Sequence, residues 1–314
     1  MGIIDATTPR PDGIARLSDW ALLRVHGADA AAFLQSQLTQ DVEALRDGDA
    51  RLAGYCSPKG RLLASFIVWR MADDAFGLLC STDVAVSAAK RLSMYVLRAR
   101  CRVEDATMAW STFGVAGTSA LALAGGHHEP WRVQRLGESW LIGLPAAVEG
   151  VPRWMLLRPA VETGALTLPV LDERMWRLLE VASGIPRITA ATAEQFVPQM
   201  INFERVGGVH FQKGCYPGQE VVARSQYRGT IKRRMHLFAT SGSARAGQDV
   251  FHSEDPAQPA GMVVDAAEAS SGSYLLAEVK LASLDSGALH LGAPDGPQLR
   301  RLELPYSITD TVDA

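Results

Sequence analysis

The chain has 314 residues, of which 47% are hydrophobic and 21% are charged, and its net charge is −3. This composition predicts two or three globular domains with sizeable cores and excludes a globally basic nucleic-acid-binding protein. The four cysteines form neither a CxxC pair nor a Cys/His cluster, so we expect a reduced, cytoplasmic protein without a metal site. No apolar run is long enough to span a bilayer, which predicts that there is no membrane contact.

The first third of the chain predicts a small α+β layer. Alternating residues indicate a strand in which Trp20 and Arg24 project from the same face, either toward a ligand or against a neighbouring layer. Asp29 suits the N-cap of the next helix, and segments 62–69 and 76–80 predict a hairpin. A further helix and two more strands complete a pattern that is typical of an antiparallel sheet with helices.

A second well-marked helix is predicted to begin at Asp172 and to end at Gly184. Its apolar face includes Leu178, whereas Trp176 lies on the flank of that face beside Glu180. A large aromatic side chain at the rim of an apolar face either lines a cleft or packs at the periphery. The pattern leaves both alternatives open.

The octet Lys213-Gly214-Cys215-Tyr216-Pro217-Gly218-Gln219-Glu220 carries the strongest chemical signal. A helix is predicted over 218–228, with Gly229 as its C-terminal cap. Cys215 would then lie beside a helix N-terminus, which together with the charge of Lys213 favours the thiolate form. The alternative is a small buried side chain in a tight turn, because free cysteines are usually buried.

Amide and basic side chains flank the octet. Gln199 and Asn202 either read the donor and acceptor edge of a heterocycle or satisfy the backbone of a loop. A basic cluster follows the octet and either binds a polyanion or surrounds a solvated helix end and an edge strand. The cluster consists of Arg224, Arg228, Lys232, Arg233 and Arg234.

From about residue 231 the pattern changes to short strands separated by Gly, Pro, Ser and Asp turns. This spacing predicts a small all-β domain, a C-terminal β-barrel. The predicted strands are Met235–Thr240, Gly261–Ala266 and Tyr274–Val279, with two more near Leu289 and Leu302.

Several motifs point to one family when they are taken together. They are Gly27-Ala28-Asp29, Phe33-Leu34-Gln35, Gln37-Leu38-Thr39-Gln40-Asp41-Val42, Pro58-Lys59-Gly60-Arg61, Gly184-Ile185-Pro186, Phe196-Val197-Pro198-Gln199-Met200, Gly207-Gly208-Val209, the octet and Ala223-Arg224. In these motifs the chain resembles the YgfZ-type folate-binding proteins, which are relatives of the aminomethyltransferase T-protein of glycine cleavage and similar to mitochondrial assembly factors for iron–sulfur proteins. The resemblance spans nearly everything from Trp20 to Arg234, and the octet is its most specific motif.

The resemblance implies an α+β, ring-like, three-domain fold of the aminomethyltransferase type. In this fold, residues 1–50 together with 118–230 form a folate-binding α+β domain, 51–117 form an interleaved, nested α+β domain, and 231–314 form the barrel. Tetrahydrofolate or a one-carbon derivative is the implied cofactor, bound in the central opening.

The resemblance also nominates the site residues. Trp20 and Trp176 match the tryptophans of the family's folate site, where an indole stacks on a pterin or aminobenzoyl ring. Cys215 and Lys213 are the expected functional motif, and Arg24 is assigned to a carboxylate of the glutamate tail. The predicted folate-binding residues are Trp20, Trp176, Arg24, Gln199, Asn202, Tyr216 and Glu220.

The implied function is support of the assembly or repair of iron–sulfur enzymes, with indirect effects on tRNA modification. The implied partners are iron–sulfur proteins or their assembly machinery. One alternative is a folate-dependent one-carbon transferase, but aminomethyltransferases carry an Asp–Asp pair after the glycine that corresponds to Gly60, where the nearest match here is Ala64-Ser65. No general acid or base is evident there, so enzymatic activity stays open. A further alternative is an interaction protein that contacts tRNA through Arg224 to Arg234.

Overall fold

Two five-stranded antiparallel sheets and a closed six-stranded barrel form the framework of the protein. The structure, a computed structural model, describes residues 10–162, 164, 166–227 and 231–308. The first sheet has the strand order β3-β4-β5-β2-β6 and the second has the order β1-β7-β10-β9-β8. In chain order these strands are β1 (Gly13–Arg16), β2 (Trp20–His26), β3 (Ala50–Cys56), β4 (Leu62–Ala72), β5 (Ala75–Ser81), β6 (Arg102–Asp105), β7 (Trp110–Ala116), β8 (Val133–Leu136), β9 (Ser139–Val148) and β10 (Val151–Pro159).

The barrel is built from the last part of the chain, in the order β11-β14-β13-β12-β15-β16, and it closes where β16 pairs with β11. The three longest predicted segments lie within β11, β13 and β14, because alternating apolar residues between turns mark a strand reliably. The prediction of an α+β fold with a C-terminal barrel is confirmed. The barrel strands are β11 (Arg233–Thr240), β12 (Asp249–His252), β13 (Asp255–Ala269), β14 (Gly272–Lys280), β15 (Leu289–Leu291) and β16 (Gln298–Leu302).

Helices cover the outer faces of the sheets and one of them lies in the interior. The helices α1 and α2 pack on the first sheet, α3 packs on the second, and α4 lies between the second sheet and the barrel strands β13 and β14. None of the described helices is long and apolar enough to cross a membrane. The helices are α1 (Ala30–Gln37), α2 (Thr82–Met94), α3 (Gly117–Leu123), α4 (Glu173–Ala182) and α5 (Gln219–Tyr227), with 3-10 turns at Thr107–Ala109, Pro198–Ile201 and Leu281–Leu284.

The two faces of β2 belong to two different cores. Leu23 and Val25 pack with α1 and α2 on the outer side of the first sheet, whereas Leu22 belongs to a core that also contains side chains of the second sheet, α4 and the barrel. Trp20 packs against that shared core. The predicted alternation of β2 is therefore confirmed, and its inward face points to the place where the sheets and the barrel meet.

The sheets group the chain differently from the predicted domain ranges, which stay a prediction. The strand β2 lies outside the range 51–117, yet it pairs with β5 in the first sheet. The strand β7 lies inside that range, yet it pairs with β1 and β10 in the second sheet. This grouping is determined by pairing between strands that are distant in sequence. The local pattern of apolar and polar residues does not predict such pairing.

Two predicted helix ends need correction. Asp29 precedes α1, but its carboxylate accepts from the backbone N–H of Arg100 at 2.8 Å instead of capping the helix. The helix after the octet begins at Gln219, because Gly218 has a left-handed φ of 81°. Its predicted end at Arg228 and the cap at Gly229 lie outside the described residues. Asp172 caps α4 as predicted, accepting from the N–H of Arg174 at 2.9 Å.

Candidate functional site

A cavity lies where the two sheets, α4 and the barrel meet, and we call it the central cavity. Its walls come from β2, β3, β4, β9, β10, the C-terminal end of α4 and β13, together with residues of the segment that follows α4. Its apolar walls include Leu52, Phe66 and Ile67. Concave sites with apolar walls and a few polar groups are the usual binding sites for small molecules.

The indole of Trp20 is held from two directions at the wall of the central cavity. Its Nε1 donates a hydrogen bond to Oε1 of Glu180 at 3.0 Å. The guanidinium carbon of Arg187 lies 4.8 Å from the centre of the ring, a cation–π arrangement that covers one face. The ring orientation is therefore fixed before any ligand arrives.

An ion network surrounds this indole. Arg177 donates to Oε2 of Glu180 and, at 2.7 Å, to Oδ1 of Asp265, and both carboxylates line the central cavity. Burial alone would lower the pKa of Arg177, but the charges of Asp265 and Glu180 raise it above its ordinary value. Because each buried charge has a partner of opposite sign, the network is compatible with its low-dielectric surroundings.

Arg153 contributes a second buried cation to the wall. The residue is 2% exposed, and its Nε donates to the carbonyl oxygen of Pro145 at 2.8 Å. Burial lowers the pKa of Arg153 to about 10, although the charge of Glu180 opposes this shift. The guanidinium therefore stays charged at neutral pH and available to an anionic or carbonyl oxygen in the cavity.

Trp176 does not line this cavity, and its assignment to the folate site stays a prediction. It is fully buried, and a Cβ on Gly114 of β7 would lie 2.2 Å from its ring, so the indole packs directly on the strand backbone. Helix periodicity predicts one buried face for α4. The helix α4 is instead enclosed by the second sheet on one side and by the barrel on the other, so its flank is also core.

Lys213 of the octet points inward and anchors the loop. Its Nζ donates to the carbonyl oxygens of Gln35 and, at 2.6 Å, of Leu38, at the C-terminal end of α1. Burial lowers the pKa of Lys213 to about 8, against the opposing charges of Asp41, Glu43 and Cys215. The ring of Tyr216, which is 7% exposed, lies 5.1 Å from the same Nζ. Neither side chain lines the central cavity, so the assignment of Tyr216 to the folate site is not supported by its position.

Two neighbouring segments contact the octet or the residues that precede it. Thr39 Oγ1 donates to the carbonyl oxygen of Gly208 at 2.5 Å, and Gln40 Nε2 donates to that of Gly207 at 2.6 Å. Gly218 lies against the loop 57–61, since a Cβ at this position would be 2.4 Å from the carbonyl oxygen of Ser57. The motifs around residues 37–42 and 58–61 therefore act as supports for the octet.

Cys215 and Glu220 lie at the surface. Cys215 is exposed, whereas the other three cysteines are buried, and burial raises the pKa of both Cys56 and Cys80 to about 12. The helix begins four residues after Cys215, so the expected contact with a helix N-terminus is wrong. The Glu220 side chain is 84% exposed and pairs with Arg224 at 2.7 Å outside the central cavity, so its assignment to the folate site stays a prediction.

Gln199, Asn202 and Arg24 also lie away from the central cavity. Gln199 Nε2 donates to the carbonyl oxygen of Val222 at 2.9 Å, and Asn202 Nδ2 donates to that of Met235 at 2.7 Å. The two amides therefore connect the loop to α5 and to the barrel. Of the two roles that the sequence left open, reading a heterocycle or satisfying backbone groups, these bonds correspond to the second. Arg24 is exposed on β2, opposite Glu104 of β6. Its assignment to a glutamate tail bound in the cavity is not supported.

The basic cluster is largely engaged within the protein. Arg233 binds Glu278 at 2.8 Å, and Arg234 binds Glu204. Lys232 is exposed, and Arg228 lies outside the described residues. Contact with tRNA through this cluster stays a prediction.

Three further residues of the cavity wall, Arg153, Arg187 and Asp265, were not predicted from the sequence. Glu180 carried a signal, because a carboxylate on a helix flank beside a tryptophan is unusual. Arg187 carried another, since it directly follows the Gly184-Ile185-Pro186 motif. Ser65, one of the two residues at the position of the family's acidic pair, lines the cavity and accepts from the N–H of Ile188 at 2.9 Å.

Comparison with known proteins agrees with this architecture. Residues 12–133 match the family model of the GCVT N-terminal domain. The crystal structure of the glycine cleavage system aminomethyltransferase T from Bartonella henselae matches with a TM-score of 0.70 and 15% identity, covering 94% of this chain and 86% of that chain. The heterotetrameric sarcosine oxidase from Corynebacterium sp. U-96, in complex with pyrrole 2-carboxylate, has a TM-score of only 0.31 at 14% identity, covering 47% of this chain and 75% of that chain. The chain therefore has the fold of aminomethyltransferase T, and its residues 12–133 match the N-terminal domain of the GCVT family.

Proposed function

We propose that this protein binds tetrahydrofolate or a one-carbon derivative in the central cavity. The observation that carries the proposal is the indole of Trp20, fixed at the cavity wall by Glu180 and Arg187 within the fold of aminomethyltransferase T. A flat heterocycle stacked on an indole gains on the order of 1 kcal/mol beyond the burial of its surface.

The polar groups of the cavity suit a heterocycle that bears both donors and acceptors. Glu180 and Asp265 provide carboxylate acceptors, Arg153 and Arg187 provide donors, and the hydroxyl of Ser65 can do either. Few other charged groups line the central cavity in the part of the chain that the structure describes. Each of these side chains can therefore help to fix the orientation of a ligand. The balance of two cations and two carboxylates also favours a largely neutral ring over a polyanion.

We test this by titrating the purified protein with tetrahydrofolate by calorimetry. The Trp20→Ala variant should bind about tenfold more weakly, because it loses the stacking surface and the indole that Oε1 of Glu180 holds in place. Trp110→Ala is the matched control: Trp110 is also a partly buried strand tryptophan, but it does not line the central cavity. Equal affinity of all three proteins, or no binding by the folded wild type, would refute the proposal.

The further role that we propose is support of the assembly or repair of iron–sulfur enzymes, with indirect effects on tRNA modification. The exposed thiol of Cys215, on a loop that Lys213 anchors to the end of α1, is the group that we assign to transient contact with an iron–sulfur protein or with its assembly machinery. In a strain that lacks the homologous protein, Cys215→Ala should fail to complement although it still binds folate. Full complementation would exclude this role of the thiol.

One observation favours a folate-dependent one-carbon transferase as the second candidate. Ala64-Ser65 supplies no carboxylate, but Glu180 and Asp265 bring two carboxylates into the cavity from α4 and β13. Carboxylates beside a bound folate can serve as general acid or base. Incubation with methylenetetrahydrofolate and a panel of amine and thiol acceptors tests this candidate. Formation of a product that Glu180→Gln abolishes would support it, and the absence of any product would count against it.

A further inference from the structure

Arg187 has a buried guanidinium of which only one part is satisfied. The residue is 7% exposed and lines the central cavity. Its Nη2 donates to Oδ2 of Asp19 at 2.5 Å, and its guanidinium lies over the ring of Trp20. Its Nε and Nη1 are buried and have no hydrogen-bond partner within the part of the chain that the structure describes.

Such unpaired donors need a physical explanation. A guanidinium carries five N–H groups, and nearly all buried polar groups in proteins have a hydrogen-bond partner. A buried donor without an acceptor destabilises the folded state, more strongly when it is charged. The contact with Asp19 keeps the guanidinium over one face of Trp20, so the unpaired N–H groups stay in a residue of the cavity wall.

We infer that Arg187 is a specificity-determining residue of the central cavity, and that its Nε and Nη1 donate to an oxygen acceptor carried by the aromatic heterocycle that binds in this cavity. This inference rests on the proposed function. For a folate, it selects the pterin that has an oxo group at position 4 and disfavours the analogue that has an amino group there. The oxo oxygen accepts hydrogen bonds, whereas the amino group presents N–H groups to the N–H groups of Arg187.

The surroundings of Arg187 support this assignment. Burial raises the pKa of Asp19, but the charge of Arg187 and its hydrogen bond outweigh burial and bring the pKa below its ordinary value. Asp19 is therefore ionised at neutral pH and keeps Arg187 in place as a positioned donor. The charge-assisted hydrogen bonds that a guanidinium makes are about twice as strong as neutral ones. We therefore expect a large difference in affinity between the 4-oxo and the 4-amino ligand.

The test compares two ligands that differ at one position. Tetrahydrofolate carries the 4-oxo group, and tetrahydroaminopterin carries a 4-amino group in its place. Calorimetry on the wild type should show at least tenfold tighter binding of tetrahydrofolate. The Arg187→Met variant should lose this preference, mainly through weaker binding of tetrahydrofolate. Arg158→Met is the matched control, since Arg158 is also buried and also pairs with a carboxylate, Glu162 at 3.2 Å, but lies outside the central cavity.

The outcomes separate this inference from the proposed function. Equal affinity of the wild type for the two ligands would overturn the role of Arg187 while folate binding stands, and this measurement needs no variant that might misfold. A preference that persists in folded Arg187→Met would overturn it as well, because another group would then read position 4. Failure of the wild type to bind either ligand would refute the proposed function and the inference with it.

Discussion

The central cavity and the octet are two regions of the same protein that are built in opposite ways. The cavity brings together Trp20, Arg153, Glu180, Arg187 and Asp265, which come from distant parts of the chain, and it encloses their charges. The octet is one continuous stretch. Its inward side chains serve as anchors, and its thiol faces solvent.

This difference separates the place where a small molecule is expected to bind from the place where a partner is expected to act. No residue of the octet lines the central cavity in the described part of the chain. A motif that is conspicuous in sequence need not mark the ligand site, because a loop held by contacts to backbone carbonyls requires specific residues for structural reasons as well. Variants in the two regions should therefore change different measurements.

The largest expected effect comes from Trp176 next to the cavity. Trp176→Ala should lower the free energy of unfolding by about 4 kcal/mol, since it leaves a large void against Gly114. Trp20→Ala should cost about 1 kcal/mol, because Trp20 is only partly buried, and should act mainly on ligand binding. Denaturant unfolding of the two variants checks this order. A stable Trp176→Ala protein that had lost only folate binding would show that Trp176 does belong to the ligand site.

Within the octet, Gly218 should be the most sensitive position. Gly218→Ala places a Cβ 2.6 Å from Cα of Gly60 at a φ of 81°, so we expect a loss of about 3 kcal/mol in unfolding free energy. Gly214→Ala is the matched control in the same loop, as nothing lies within 4 Å of its Cβ position. Its stability should stay within about 0.5 kcal/mol of the wild type. Equal effects at the two glycines would mean that the contact between the octet and the loop 57–61 is not formed in solution.

The sequence predicted local features of the structure but not how distant elements pack against one another. The strand β2, the barrel strands and the cap at Asp172 follow from spacing and turn residues, which are local. The complete burial of Trp176 was not predicted, because a helix enclosed on two sides does not show the single apolar face that periodicity detects. Asp265 had no signal, since it reaches the cavity only through the packing of the barrel strand β13 on α4.

The loss of Lys213 should have an intermediate effect on stability. Lys213→Met leaves the carbonyl oxygens of Gln35 and Leu38 without their donor, so we expect a loss of about 2 kcal/mol in unfolding free energy at pH 7. Folate binding should be retained, because the residue does not line the central cavity. A large loss of affinity without a loss of stability would place Lys213 in the ligand site after all.

Lys213 also predicts a dependence of stability on pH. Its pKa is lowered from an ordinary value of 10.5 to about 8, so between these values the unfolded chain holds a proton that the folded protein has released. The contribution of Lys213 to the free energy of unfolding therefore rises as pH increases from 8 to 10.5, by on the order of 3 kcal/mol. The difference between wild type and Lys213→Met isolates this contribution from other alkaline groups. A difference that stays constant or falls across the window would contradict it.

The smallest effect on stability is expected at the residue with the clearest chemical signal. Cys215→Ser exchanges one exposed side chain for another of similar size, so the free energy of unfolding should change by less than about 0.5 kcal/mol, and tetrahydrofolate affinity should be unchanged. Cys56→Ser is the contrasting variant, because it puts a hydroxyl into an apolar core and should cost about 2 kcal/mol. If Cys215→Ser destabilised the protein as much as Cys56→Ser, the thiol would be a packing group. Unchanged stability together with a loss of complementation would instead show that the thiol acts in contact with a partner. In that case the octet would keep its structure and lose only the group that it presents to solvent.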